Sequence, residues 1–140
     1  MSITYTVLPS QAAVLVKAEG VVDLRQFIDH LAAMIDDPAV PADHVTLIDA
    51  SRTTELRLTE EDIVAISTFT AGHPDRIIAR KLAIVTCKSS DSDLAYRYEQ
   101  LASHFREKTI VFFNIDAARL WLGLPLDREG QPGALPVPLD

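Results

Sequence analysis

Residues 82–102 read Leu82-Ala-Ile-Val-Thr-Cys87, then Lys88-Ser-Ser-Asp-Ser-Asp93, then Leu94-Ala-Tyr-Arg-Tyr-Glu-Gln-Leu-Ala102. The first six residues form an almost unbroken apolar run, the pattern of a strand covered on both faces. The middle six are polar, and Ser90 or Ser92 is placed to cap a helix. Leu94, Tyr98, Leu101 and, further on, Phe105 then recur at helical spacing, flanked by Ala95 and Ala102. A doubly covered strand running straight into an amphipathic helix is one unit of a parallel α/β sheet.

The same unit recurs on either side. Upstream, Val45–Ala50 is a short apolar run ending in Asp49-Ala50. Thr59 caps the helix after it, with Asp62 three residues on and Leu58 and Ile63 spaced as a hydrophobic staple. Ile63, Ile66 and Phe69 make its buried stripe, and Gly72 and Pro74 end it. Downstream, Ile110–Phe113 is a further strand, and Asp116 caps a last short helix, Ala117–Leu122, closed by Gly123 and Pro125.

The chain begins differently. Ile3, Tyr5 and Val7 alternate with polar residues, which gives a strand with one buried face. Pro9-Ser-Gln breaks it, and Val14, Val16 and Ala18 continue in a second strand. So short a connection makes the pair antiparallel. Gly20 ends the second strand. Asp23 caps a helix with Gln26 at the capping-box position and Val22 and Phe27 as its staple. Leu24, Phe27, Ile28, Leu31 and Ile35 follow helical spacing until Asp36-Asp37-Pro38 stops them. The order is β-β-α-β-α-β-α-β-α. It predicts a single five-stranded mixed sheet of the α/β class, its crossovers right-handed. Residues 123–140 hold four of the eight prolines and three of the five glycines. The expected organisation is therefore one domain over residues 1–123 and an extended tail over 124–140. Leu124, Leu126, Leu135, Val137 and Leu139 would anchor that tail on its own domain or on a neighbouring subunit.

The chain of 140 residues, 48% hydrophobic and 24% charged, has the balance of one globular domain, not of a disordered or fibrous chain. No run approaches the ~18–20 apolar residues of a membrane-crossing helix. The net charge is −7, and the densest basic spot is only Arg76, Arg80 and Lys81. That excludes the basic clusters that nucleic acid and anionic membrane surfaces require. Residues 1–50 carry seven acidic residues against Lys17 and Arg25, so the first third presents an acidic face. Cys87 is the only cysteine, so no intramolecular disulfide forms. Met1-Ser-Ile-Thr-Tyr5 lacks the basic and apolar regions of a secretory signal. Together these predict a cytoplasmic protein.

In open α/β sheets ligands bind beyond the carboxyl ends of the parallel strands. Asp49, Ser51 and Arg52 should meet there with Cys87, Lys88, Ser89 and Ser90, and with Asn114. The stretch Ala50–Leu58 reads as the longest strand-to-helix loop, suited to binding. Lys88-Ser89-Ser90 opens a helix and could hold an anion, but Asp91 and Asp93 already compensate the helix dipole. Cys87 has the place of a phosphate-transfer thiolate, yet the Arg expected six residues later is Asp93. It reads instead as a buried structural thiol. His30, His44, His73 and His104 have no metal-type spacing, and His30 and His104 fall on polar helix sides. No histidine is singled out to complete a triad with Ser51 and Asp49, and no nucleophile elbow or phosphate-cradling glycine loop is present. Arg97 and Glu99 flank Tyr98; Arg97 is a candidate ligand or partner contact. No cofactor or metal is implied, and no catalytic residue stands out.

Several phrases, taken in order, resemble the SpoIIAA-like family, which is related to STAS domains and to the CRAL-TRIO lipid-binding fold. They are Gly20 before its capped helix, Leu47-Ile-Asp49 with Arg52, Leu58-Thr-Glu-Glu-Asp62-Ile, Leu94-Ala-Tyr-Arg97-Tyr-Glu99, and Val111-Phe-Phe-Asn-Ile-Asp116 leading to Ala118 and Trp121-Leu122. They span residues 3 to 123. The resemblance implies a SpoIIAA-like fold and a non-enzymatic interaction or regulatory module, self-associating as a homodimer and open to a protein partner. STAS antagonists carry an Asp-Ser-Ser-Gly phosphorylation motif at the start of the second helix. Here that place reads Arg57-Leu58-Thr59-Glu60, so Thr59 is the nearest phosphorylation candidate. Two alternatives stand beside this expectation: a carrier of a small apolar or lipid-like ligand held between helices and sheet, and an enzyme using the strand-end loops around Asp49–Arg52. An internal apolar cavity would favour the carrier. The large residues Phe27, Phe69, Tyr98, Phe105 and Trp121 predict a filled core instead.

Overall fold

The structure, a computed structural model, describes residues 3–104 and 108–126. The expectations for Phe105, Leu135, Val137 and Leu139 lie outside the described residues. Five strands pair in chain order, β1-β2-β3-β4-β5. They are β1 Ile3–Leu8, β2 Ala13–Asp23, β3 Val45–Arg57, β4 Lys81–Val85 and β5 Lys108–Phe112. β1 runs antiparallel to β2, through a turn of 3-10 helix at Pro9–Gln11, and the other pairs are parallel. The helices are α1 Leu24–Asp36, α2 Glu60–Ala71, α3 Pro74–Ile77, α4 Ser89–Ala102 and α5 Ile115–Leu122. The mixed five-stranded α/β architecture expected from the sequence is the one observed.

Three successive right-handed crossovers stepping the same way across a sheet must lie on the same face. Accordingly α1, α2 and α4 pack together on one side, over Val14, Val16, Leu82 and Ile84. α5 follows the last strand and is no crossover, so it can cover the other side. There Ala118 and Leu122 meet Ala13, Val45, Leu47, Ala83 and Val85. Even and odd positions of the strands thus serve two separate cores. Leu124 is buried in the second of them, and Arg119 holds the chain there by donating to Pro125 O at 2.8 Å.

The helix starts follow local chemistry. Asp23 and Gln26 form the expected capping box on α1, as do Thr59 and Asp62 on α2. Two expected caps are corrected. Asn114, not Asp116, caps α5, accepting from Ala117 N at 3.0 Å. α4 starts at Ser89 with Lys88 at its N-cap and no side-chain cap. Ser92 is inside the helix, where its hydroxyl meets Thr86 Oγ1 at 2.6 Å and donates to Lys88 O at 3.0 Å. Gly72 and Pro74 end α2 as expected, but Pro74 also opens α3, whose first turn tolerates its missing N–H. From α3, Arg76 donates to Ile35 O and Asp37 O at the carboxyl end of α1, where a cation suits the helix dipole.

The largest correction concerns residues 50–58. They are not a loop: β3 continues to Arg57, and β2 continues past Gly20 to Asp23, pairing with it to the end. Register shifts lie between Lys17 and Glu19 and between Gly20 and Val21. Each is a bulge that adds one residue to β3. The core-facing positions of β3 therefore run Thr46, Ile48, Ala50, then Thr53, then Leu56. The period changes from two to three, which hid the strand. Gly20 sits between the bulges at φ +71°, a left-handed conformation that a glycine takes without strain.

Candidate functional site

The strand-end cluster is assembled by the second half of β3 and the start of α4. Asp49 Oδ1 accepts from both Ser51 N at 3.0 Å and Ser51 Oγ at 2.6 Å, closing a local turn at the first bulge. Ser51 O lies 3.1 Å from Cys87 Sγ. Lys88 Nζ donates to Thr53 O at 3.0 Å and Thr54 O at 2.7 Å. The structure therefore brings Asp49, Ser51, Cys87 and Lys88 together. Their polar groups are turned toward the backbone of β3. Arg52, Ser89 and Ser90 are exposed at the surface. Cys87 is exposed, not the buried thiol expected, because β4 ends at Val85 and the apolar run overshoots it.

The remaining candidates lie apart. Arg97 joins α4 to α2, with Nε 3.5 Å from Glu60 Oε2 and Nη1 donating to Gln100. Asn114 is engaged as the α5 cap. Thr59 Oγ1 accepts from Asp62 N at 3.1 Å, with Glu60 and Glu61 beside it. Ser51 and Asp49 form a hydrogen-bonded pair, but His30, His44 and His73 bond or pack elsewhere. Among the described residues no group of three His, Cys, Asp or Glu side chains could hold a metal ion. The basic spot of the sequence is spent internally: Arg76 on α1 carbonyls, Arg80 on Asp43 at 2.8 Å, and Lys81 on Trp121 O at 3.1 Å with its ammonium 5.0 Å from the indole centroid.

Beneath this cluster the core is not filled. A partly open cavity of about 90 Å³ lies between α1, α2, α4 and the sheet. Its walls are almost wholly apolar and include Phe27, Leu31, Ile48, Leu56, Ile63, Ile66, Ile84 and Leu94. The large stripe residues are present as expected, but Ala18, Ala50 and Ala95 face them across the space and leave it open. At the strand ends Asp91 borders the cavity, with Oδ2 accepting from Thr53 Oγ1 at 3.1 Å.

His30 belongs to this site, contrary to the polar helix side expected from the sequence. It is 7% exposed. Its ring packs edge-on to Tyr5, with centroids 5.4 Å apart, and to Phe27 at 6.4 Å. Burial pushes its pKa down from 6.5 to about 4, so the ring is neutral in the folded protein at neutral pH. The signal was there: His30 stands three residues after Phe27 and four before the buried Met34, on one helical stripe.

No family model and no curated protein matches the chain. A crystal structure of similar fold belongs to an uncharacterised protein of the DUF3478 family from Shewanella loihica PV-4, described as having a SpoIIAA-like fold. The two chains are 17% identical with a TM-score of 0.55, over 86% of this chain and 94% of the other. The fold is SpoIIAA-like. At that identity the likeness carries the architecture and not the role.

Proposed function

We propose that this chain is a non-enzymatic binding module that takes a small, largely apolar ligand between its helical layer and its sheet. The observation that carries the reading is the cavity, because well-packed interiors leave few voids larger than a water molecule. Its volume sets the ligand's size. About 90 Å³ is several times the ~10–15 Å³ that one water needs on this measure and approaches the ~150 Å³ of an apolar cavity that takes up benzene. Pockets for drug-sized ligands span ~300–1,000 Å³, so a whole lipid is too large and a compact molecule is the better fit. The non-enzymatic part rests on the strand-end cluster, whose hydroxyl, thiol and ammonium groups are engaged with β3. Native mass spectra of protein purified gently from its source cells test the reading. A small-molecule increment on the protein mass is expected; a bare mass that stays bare after exposure to toluene would contradict it.

Self-association is the second reading, and a specific surface favours it. Phe113 and Leu120 are 62% and 67% exposed, and Ile110 lies exposed on the edge strand β5. A protein partner would use the same surface. Sedimentation at high micromolar concentration should give a dimer mass, and a monomer mass would count against it. The setting we assign is cytoplasmic, where an exposed lone thiol such as Cys87 stays reduced. Among the described residues no helix is long and apolar enough to cross a membrane.

A further inference from the structure

The polar groups on the cavity wall can be accounted for one by one. Thr70 Oγ1 donates to Ile66 O at 2.9 Å. Thr86 Oγ1 is paired with Ser92 Oγ, and Asp91 accepts from Thr53. Tyr98 has a partner of its own as well. Two groups are left over. Neither ring nitrogen of His30 has a hydrogen-bond partner among the described residues, and neither has the hydroxyl of Thr46. They are 7% and 6% exposed. Tyr5, the ring's neighbour, meets His30 edge-on by its ring, while its hydroxyl donates to Asp37 Oδ2 at 2.6 Å. The wholly buried side-chain atoms without a hydrogen-bond partner among the described residues are instead His44 Nε2, Arg97 Nε and Arg119 Nε; the polar atoms of His30 and Thr46 reach open space, where a ligand's polar group can meet them.

We infer that His30 is the polar anchor of the cavity, and that the ligand is a small uncharged molecule with one hydroxyl or carbonyl on a compact hydrocarbon body, no larger than a single six-membered ring. This rests on the proposed ligand-binding role. A neutral imidazole offers one donor and one acceptor, which suits a hydroxyl or a carbonyl equally. An acid is disfavoured twice. Its anion would lie against apolar walls beside the carboxyl group of Asp91, and it would need His30 to take up a proton that burial resists. A pure hydrocarbon fills the space but leaves His30 and Thr46 unmatched.

The test uses the full chain, ¹⁵N-labelled, at neutral pH, with phenol, toluene and benzoate as probes and the histidine ring nitrogens as the readout. Phenol should bind saturably and move the His30 ring nitrogens far more than toluene does. His30→Leu should lower the preference for phenol over toluene by about tenfold or more, the scale of one lost hydrogen bond. If His30→Leu does not fold, the ring shifts of the wild-type protein decide alone. Binding of both neutral probes with unmoved ring nitrogens would overturn the anchor and leave the cavity reading standing. Benzoate binding as tightly as phenol would overturn the uncharged class. Failure of phenol and toluene alike to bind would overturn the anchor together with the cavity reading.

Discussion

His30 shows how one residue changes the meaning of a helix. Its ordinary pKa of 6.5 falls to about 4 because burial disfavours the charged ring. The unfolded chain therefore takes up a proton before the folded one does. The stability this preserves is fully present above pH 6.5 and is lost as pH falls through the window toward 4. At ~1.4 kcal/mol per pH unit the loss is of order 3 kcal/mol by the bottom of that window. Urea midpoints measured across it should fall steeply for the wild-type protein, and His30→Leu should flatten the slope. His44, also pushed down by burial, keeps its own share of the pH dependence. In the sequence His30 reads as polar, since a neutral buried histidine looks the same there as a charged exposed one. Cys87 was misread for the opposite reason: its apolar neighbours suggested burial, but the strand stops two residues earlier.

At the scale of elements, the legible parts were those whose period is regular and whose caps are local. The capping boxes at Asp23 and Thr59 and the doubly covered strand β4 are of this kind. The extension of β3 was illegible because its two bulges replace alternation with a spacing of three. Lys88 compensates for the ladder partner that the extension lacks on its β4 side, pinning Thr53 O and Thr54 O. Hydrogen bonds from charged groups contribute about 1.5–3 kcal/mol each. Lys88→Met should therefore destabilise the protein and speed amide hydrogen exchange over residues 52–57 more than over β4; uniform exchange rates would contradict this role. Gly20→Ala isolates the backbone effect. A Cβ at that position meets nothing within 4 Å, so the cost should be that of the left-handed conformation alone, about 1–2 kcal/mol by chemical denaturation. A loss near zero would mean that Gly20 is not held at positive φ.

For the whole molecule, singly wound topology stacks three helices on one face of the sheet and leaves the other to α5. The cavity lies in the thicker layer, where small residues of β2, β3 and α4 oppose large ones from α1 and α2. Its existence was not legible from side-chain sizes along single stripes, because it depends on which stripes face each other. The architecture was legible, since element order and crossover hand fix it. Filling the space should separate stability from binding. Ala50→Leu should raise stability by about 0.5–2 kcal/mol, as cavity-filling changes commonly do, and should abolish toluene uptake. Destabilisation with uptake intact would mean that Ala50 does not border the usable volume.

The proposed binding role requires this interior to admit a small apolar molecule. Methyl-labelled isoleucine spectra recorded during a toluene titration test it most directly. Ile48, Ile63, Ile66 and Ile84 border the cavity, whereas Ile110 and Ile115 lie on the opposite face. Saturable shifts are expected at the first four and none at the last two. No saturable shift up to the solubility limit of toluene, or shifts centred on Ile110, would contradict it.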